Sequence, residues 1–298
     1  MRRIALIFWN AVIRLVYDGG LANAGNVALS LLLSLFPFML LIATLVNIWG
    51  EPELLEEILA LVFDHWPAES AAPIAEQMKV VLGQASGSLF SFSTLIALVL
   101  ATNGVESARD GLNRAYKLVE SRMFFRRRLQ GTLFVFVGAV GLIMSAFLLV
   151  GTPIVWTFLV ARLEFLSPFS FTVALIQYGL ATSILVLVIY SFHYFLPDGR
   201  HRFGDLVWGV IITIAGIFLG SELFAIYLTS FANYTALYAG MAGIMIVIAY
   251  LYYLSVLILF GAEFNAALME DRALQKDRAA VKSRQETPAS VHPGENRD

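Results

Sequence analysis

Two carboxylates fall inside long apolar runs, Glu222 within residues 206–229 and Glu263 within residues 238–267. An ionisable side chain at bilayer depth is costly unless it faces other helices or water, which makes both candidates for a polar cavity or translocation path. For Glu222 two roles fit equally: a group that changes protonation or headgroup contacts during a cycle, and a hydrogen-bonded clamp between helices. Glu263, beside Asn265 and near the end of its run, fits a clamp better. A third feature is a polar stripe, Glu106, Arg109, Asp110, Asn113, Arg114 and Lys117, at i, i+3, i+4, i+7, i+8 and i+11. That spacing is one helical face, and Asn103 lies one turn before it. Such a face is either a hydrophilic track into a bundle or a solvated helix end knitted by near neighbours such as Asp110–Arg114. Finally, Arg122, Arg126, Arg127 and Arg128 interleave with Phe124 and Phe125. Basic residues among aromatics at a membrane face attract anionic lipid headgroups, and they also enforce topology.

The elements that carry these residues follow from composition. Hydrophobic residues make up 59% of the 298-residue chain and charged residues 14%, far from a soluble domain's roughly 25% charged. Six windows have the length and apolarity of a membrane span: 27–49, 89–104, 133–160, 171–196, 206–229 and 238–267. They are continuous rather than alternating, so the expected fold class is all-α, a polytopic bundle of six transmembrane helices with amphipathic interfacial helices. The second window is short and is expected to continue as a helix into the polar stripe.

Six spans leave 18 of the 20 Lys and Arg residues on the side of both termini, with only Lys79 and Arg162 opposite. The positive-inside rule therefore puts both termini in the cytoplasm. Residues 1–26 read as a cytoplasmic interfacial segment, with Ile4, Ile7, Phe8, Ala11 and Leu15 on one face of a helix. Trp9-Asn10 interrupts any leader-like apolar core, so a cleaved signal is not expected. The exterior loop 50–88 has two amphipathic stretches, Leu54, Ile58, Leu61, Val62 and Ile74, Met78, Val81, Leu82, and a net charge of −6. Residues 268–298 mix acidic and basic side chains with two prolines and are expected to be a disordered cytoplasmic tail.

Small residues mark helix contacts. Gly209, Thr213, Gly216 and Gly220 share a face, and Gly138, Gly141 and Ser145 share another. Close backbone approach of this kind holds bundles together in lipid.

No enzyme motif is present. The four histidines are scattered, His193 and His201 flanking a short cytoplasmic loop as interfacial residues, and there is no nucleophile elbow, Walker loop or cysteine. No cofactor, catalytic residue or metal site is expected. The net charge of −2 argues against a nucleic-acid partner.

Three stretches together have a familiar form: Ala28-Leu-Ser-Leu-Leu-Leu-Ser-Leu-Phe-Pro37; Asn113-Arg-Ala-Tyr116 followed by Phe124-Phe-Arg-Arg-Arg-Leu129; and Tyr238-Ala-Gly-Met-Ala-Gly243 leading through Tyr250-Leu-Tyr-Tyr-Leu-Ser255 to Gly261-Ala-Glu-Phe-Asn-Ala266. From about residue 20 to residue 268 the chain resembles the YihY/BrkB family of bacterial inner-membrane proteins, historically labelled ribonuclease BN. Where family members often carry Trp before the basic run, this chain has Phe124-Phe125. The resemblance implies a multi-pass protein of the bacterial plasma membrane, and it marks Glu263 and Asn265 as motif positions. Family association with envelope integrity and lipid export points toward envelope lipids. The nuclease label finds no convergent set of metal ligands here.

The expected function is therefore transporter-like: translocation or hand-over of a lipid or amphiphilic envelope component. Its partners would be anionic membrane lipids and either a second copy of the chain or an envelope protein. The alternative is a non-transporting scaffold that holds envelope proteins through the acidic exterior loop.

Overall fold

A computed structural model describes residues 2–48, 87–199, 201–235 and 241–286, and no strand occurs among them. The helices are α1 (Arg2–Tyr17), α2 (Gly20–Ile48), α3 (Gly87–Ala115), α4 (Phe124–Ala146), α5 (Thr152–Arg162), α6 (Ser170–Phe195), α7 (Phe203–Thr235) and α8 (Met241–Glu286). The exterior amphipathic loop 50–88 lies almost wholly outside the described residues. Helices α6, α7 and α8 contain segments long and apolar enough to cross a bilayer, and the bent pair α1–α2 makes a fourth if counted as one span. The protein is an all-α, multi-pass membrane protein.

The helices close into a ring in which α2 packs on α3, α3 on α4, α4 on α6, α6 on α7, α7 on α8 and α8 on α2. Helix α8 also touches α3 and carries α1 along its flank. The reason is compositional: α8 presents Leu259, Phe260, Ala262, Phe264 and Ala267, all buried, and these join Leu112, Ala115 and Tyr116 of the α3 end in one apolar core.

Helix α1 contributes Ile7, Ala11 and Leu15 to that core. Ile4 and Phe8, expected on the same face, are exposed, although the Phe8 ring meets Phe260 edge-on at 5.1 Å. Its outer surface shows Leu6, Trp9, Ile13 and Val16. A helix apolar on both sides, with one side packed on protein, fits a membrane–water interface. The turn into α2 needs a left-handed residue, which Gly19 supplies at φ 72°, and the two helices meet at 67°.

Two further segments depart from, or refine, the sequence expectation. The third window is not one uninterrupted α-helix: α4 passes through a π-helical turn, Phe147–Gly151, into α5. Pro153 stands at the start of α5 and has no N–H to give to the preceding turn, so the ladder re-registers there. The expected disordered tail is helical from residue 268 to Glu286, because α8 simply continues. Its first turns are held by ion pairs that composition does not reveal: Arg3 with Asp271, Arg14 with Glu270, and Arg272 with Asp205 at 2.8 Å. Residues 287–298 lie outside the described chain.

Candidate functional site

Helices α7 and α8 approach closely because their facing positions are small. A Cβ on Gly209 would overlap the Gly261 carbonyl, and one on Gly261 would overlap the Thr213 hydroxyl. Into that seam projects Asn265, fully buried. Its Oδ1 accepts the Gly209 N–H at 2.6 Å, and its Nδ2 donates to the Leu206 carbonyl at 3.0 Å and reaches the Tyr116 hydroxyl at 3.4 Å. Tyr116 in turn lies 3.4 Å from His193 Nδ1. Thr213 donates to backbone oxygens of Gly209 or Leu257, and Tyr253 to the Gly216 carbonyl. The α7 face of Gly209, Thr213 and Gly216 is thus a packing face, as its spacing indicates. In α4, Gly141 abuts Val188 of α6, whereas Gly138 has open space. His193, expected at the interface, is instead completely buried among α3, α6 and α8.

Next to this knot the loops after α3 and α6 are clasped together. Asn113 donates from Nδ2 to Glu120 at 2.9 Å and accepts the Asp198 N–H at 2.8 Å. Asp198 accepts the Ser121 N–H at 2.6 Å and the Ser121 hydroxyl at 2.5 Å. Arg122 donates to Glu120 at 2.7 Å and to the Leu196 carbonyl at 2.7 Å, and also to Gln130. Burial works to raise the Glu120 carboxyl, but hydrogen bonds from Arg122 and Asn113 outweigh it and hold the group below the usual carboxylate range. Asp198 is held low chiefly by Ser121, with help from the Arg122 and Arg126 charges.

These contacts sort the expected lipid-binding arginines. Arg122 is largely withdrawn from the surface, with its donors committed to the clasp. Arg128 reaches back to Asn103 Oδ1 at 2.7 Å and Glu106 at 3.3 Å. Arg127 is half-buried, and its carbonyl accepts from Arg109 at 3.1 Å. Arg126 is exposed and has no hydrogen-bond or ion-pair partner among the described residues.

The stripe on α3 divides in the same way. Arg109 and Asn113 face the bundle and are buried, while Asp110, Arg114 and Lys117 are exposed. Glu106 pairs across to α4 through Arg128 rather than along its own helix. Over its inner half the stripe meets partners from α4 and the following loop: Arg109 the Arg127 carbonyl, Asn113 Glu120, and Glu106 Arg128. Arg109 keeps Nε and Nη1 without hydrogen-bond partners in the structure.

Glu263 is buried, with Oε2 lacking a hydrogen-bond partner, and the charges that act on it come from Asp18, Arg14 and Lys117. Glu222, expected inside the bundle, is exposed on the outer surface of α7 beside Leu219, Leu223 and Ile226. The rotation of α7 explains this, because Gly209, Thr213 and Gly216 on the opposite side of the helix take the face towards α8. At 1.5 Å per residue Glu222 stands roughly 26 Å along α7 from Asp205, close to the far edge of a ~30 Å hydrocarbon core. Sequence position made it look central because the apolar run continues past it.

Between α4 and α6 a wedge opens at the level of the clasp, about 600 Å³ in volume. Arg122, Arg126, Leu129, Gln130 and Leu133 line it from one side, at i, i+4, i+7, i+8 and i+11; Phe195, Pro197, Asp198 and Gly199 line it from the other. It is polar at the loop end and apolar below. Sequence reading missed Asp198, Glu120, Gln130, Tyr116 and Gly209 as site residues. Tyr116 and Gly209 stood out only as motif and packing positions; for Asp198 the signal was Pro197, which ends a helix and so turns Asp198 back toward Ser121. Among the described residues no group of three His, Asp or Glu side chains is placed to hold a metal ion.

Comparison with known proteins gives consistent matches. The profile of the family described as virulence factor BrkB matches residues 11–286. A putative ribonuclease-like protein YfkH of Bacillus subtilis is 29% identical over 86% of this chain and 92% of its own length. UPF0761 membrane proteins of Alteromonas mediterranea and Vibrio atlanticus are 26% and 24% identical, over 83% and 91% of this chain and 82% and 84% of theirs. No solved structure matches the chain.

Proposed function

The chain belongs to the virulence factor BrkB family, and from that membership and the wedge between α4 and α6 we propose a transporter-like protein of the bacterial inner membrane that moves or hands over a lipid or other amphiphilic envelope component. It crosses the membrane six times with both termini in the cytoplasm, following the 18-to-2 division of basic residues.

The observation that carries this reading is the wedge itself. An opening with charge at one end and exposed Leu129, Leu133 and Phe195 at the other has the amphipathic character of a lipid. A soluble substrate would gain nothing from the apolar half. The clasp of Arg122, Glu120 and Asp198 ties the two sides of this opening together at its loop end. Arg126 and Asp198 at the mouth meet the headgroup, while the exposed outer face of α1 rests in the same leaflet.

The test is transfer of headgroup-labelled phospholipid across proteoliposomes of the purified full chain. The expected result is transfer well above protein-free vesicles, reduced by Leu133→Trp, which fills the wedge. Transfer at the protein-free rate by folded protein, with every lipid offered, overturns the reading.

A further inference from the structure

The charges left free at the mouth of the wedge specify a headgroup. Of its polar lining, Arg122 is committed to Glu120, Leu196 and Gln130, and Gln130 donates to the Phe195 carbonyl at 2.6 Å. Asp198 spends Oδ2 on Ser121; its Oδ1 forms an ion pair with Arg122 Nε at 3.6 Å, beyond hydrogen-bond length, so the hydrogen-bonding capacity of that oxygen is unspent. Arg126 has no hydrogen-bond or ion-pair partner among the described residues. One guanidinium and one carboxylate oxygen therefore remain available, and both line the wedge and a second recess of about 380 Å³ formed with Ser121 and Met123.

We infer that the wedge seats a phospholipid whose headgroup carries an amine, with its phosphate on Arg126 and its ammonium on Asp198 Oδ1; the inference rests on the lipid-handling reading above and names the substrate class. A purely anionic headgroup would be attracted by Arg126 and repelled by Asp198, whereas a zwitterion satisfies both. Below the headgroup, Leu129 and Leu133 follow on the same face of α4, with Phe195 opposite. Leu133 lies seven residues past Arg126, roughly 10 Å along the helix, so it meets the upper methylenes of an acyl chain rather than the phosphate. The apolar floor is what separates an intact lipid from a free phosphate or a soluble headgroup.

The experiment is equilibrium photolabelling of the full chain in nanodiscs, with the labelled peptide identified by mass spectrometry. The probes are photoreactive phosphatidylethanolamine and phosphatidylglycerol of equal chain length, with glycerophosphoethanolamine as a soluble competitor. Phosphatidylethanolamine is expected to label peptides containing Leu129, Leu133 or Phe195 about fivefold more than phosphatidylglycerol, and the soluble headgroup is expected to compete poorly. Arg126→Gln, a change at an exposed side chain, should lower labelling by both lipids about fivefold. Asp198→Asn, which keeps an oxygen for Ser121, should abolish the preference between them; thermal unfolding of the same sample establishes that the variant is folded. Equal labelling by both lipids in the wild type, or labelling unchanged in Arg126→Gln, overturns the assignment. Full competition by the soluble headgroup also overturns it, in favour of a site for small phosphates. Labelling needs no lipid movement, so a labelled wedge without transfer refutes only the transport reading, and transfer without wedge labelling refutes only this one.

Discussion

Replacing Asn265 with Ala tests whether the buried knot holds the bundle together. Two hydrogen bonds to α7 are lost, at 2.6 Å to the Gly209 N–H and 3.0 Å to the Leu206 carbonyl, from a side chain with 0% exposure. Side-chain hydrogen bonds between membrane helices average about 0.6 kcal/mol, and those in soluble proteins about 1 kcal/mol. Both α7 atoms also sit within a regular helix, so they are not left wholly without partners. The two bonds together are therefore worth about 1–2 kcal/mol. Removing three heavy atoms from a fully packed position adds on the order of 1 kcal/mol for the cavity. The expected destabilisation is about 2–3 kcal/mol. The assay is reversible unfolding by titration with sodium dodecyl sulfate in mixed micelles, followed by tryptophan fluorescence; Trp208 adjoins Gly209. Ser255→Ala is the matched control, since Ser255 is equally buried but bonds only the Leu251 carbonyl of its own helix. That variant should lose less than about 1 kcal/mol. A loss in Asn265→Ala no larger than in Ser255→Ala would refute the claim that the knot ties α7 to α8.

The seam beside the knot makes its own prediction. Gly261→Ala drives a methyl group against Thr213 and the Gly209 carbonyl and should cost about 1–3 kcal/mol, whereas Gly138→Ala meets open space and should be neutral or gain up to about 1 kcal/mol in helix propensity. Equal effects of the two in the same titration would show that the close approach contributes nothing. The clasp predicts an acid limit. Glu120 and Asp198 are held below their ordinary values when folded, so their stabilisation is present above the usual carboxylate range and fades as pH falls through and below about 4. Unfolding titrations between pH 7 and 3.5 should show this loss, and it should be smaller in Glu120→Gln/Asp198→Asn; an acid response unchanged in the double variant would remove the clasp as its source.

Much of this molecule is legible without coordinates because hydropathy and periodicity belong to a helix in isolation. Long apolar runs with few charges require helices in a bilayer, since no other local structure satisfies the backbone there. The spacing of Gly209, Thr213 and Gly216 declares one packing face whatever it packs against. The polar extension of α3 past residue 104 and the amphipathic α1 are read from the same kind of local pattern.

Partner choice is different, because it depends on how each helix is rotated and on which elements meet across long stretches of chain. The run Arg122 to Arg128 looks like one basic patch. Only the packed bundle turns Arg122 inward to Glu120 and Leu196, sends Arg128 to Glu106, and leaves Arg126 exposed with no hydrogen-bond or ion-pair partner among the described residues. Asn113 meets Asp198, 85 residues away, because α6 ends beside α3. Glu222 is inside an apolar run by sequence, yet α7 spends its inward face on Gly209, Thr213 and Gly216, and the carboxylate is left on the outside. Residues 268–286 have a disordered composition but inherit a helix from α8, and Arg3, Arg14 and Asp205 pair with its first turns. Composition and period state what each helix can bury. The contacts among helices decide what each one does bury, and the charges left over define the wedge.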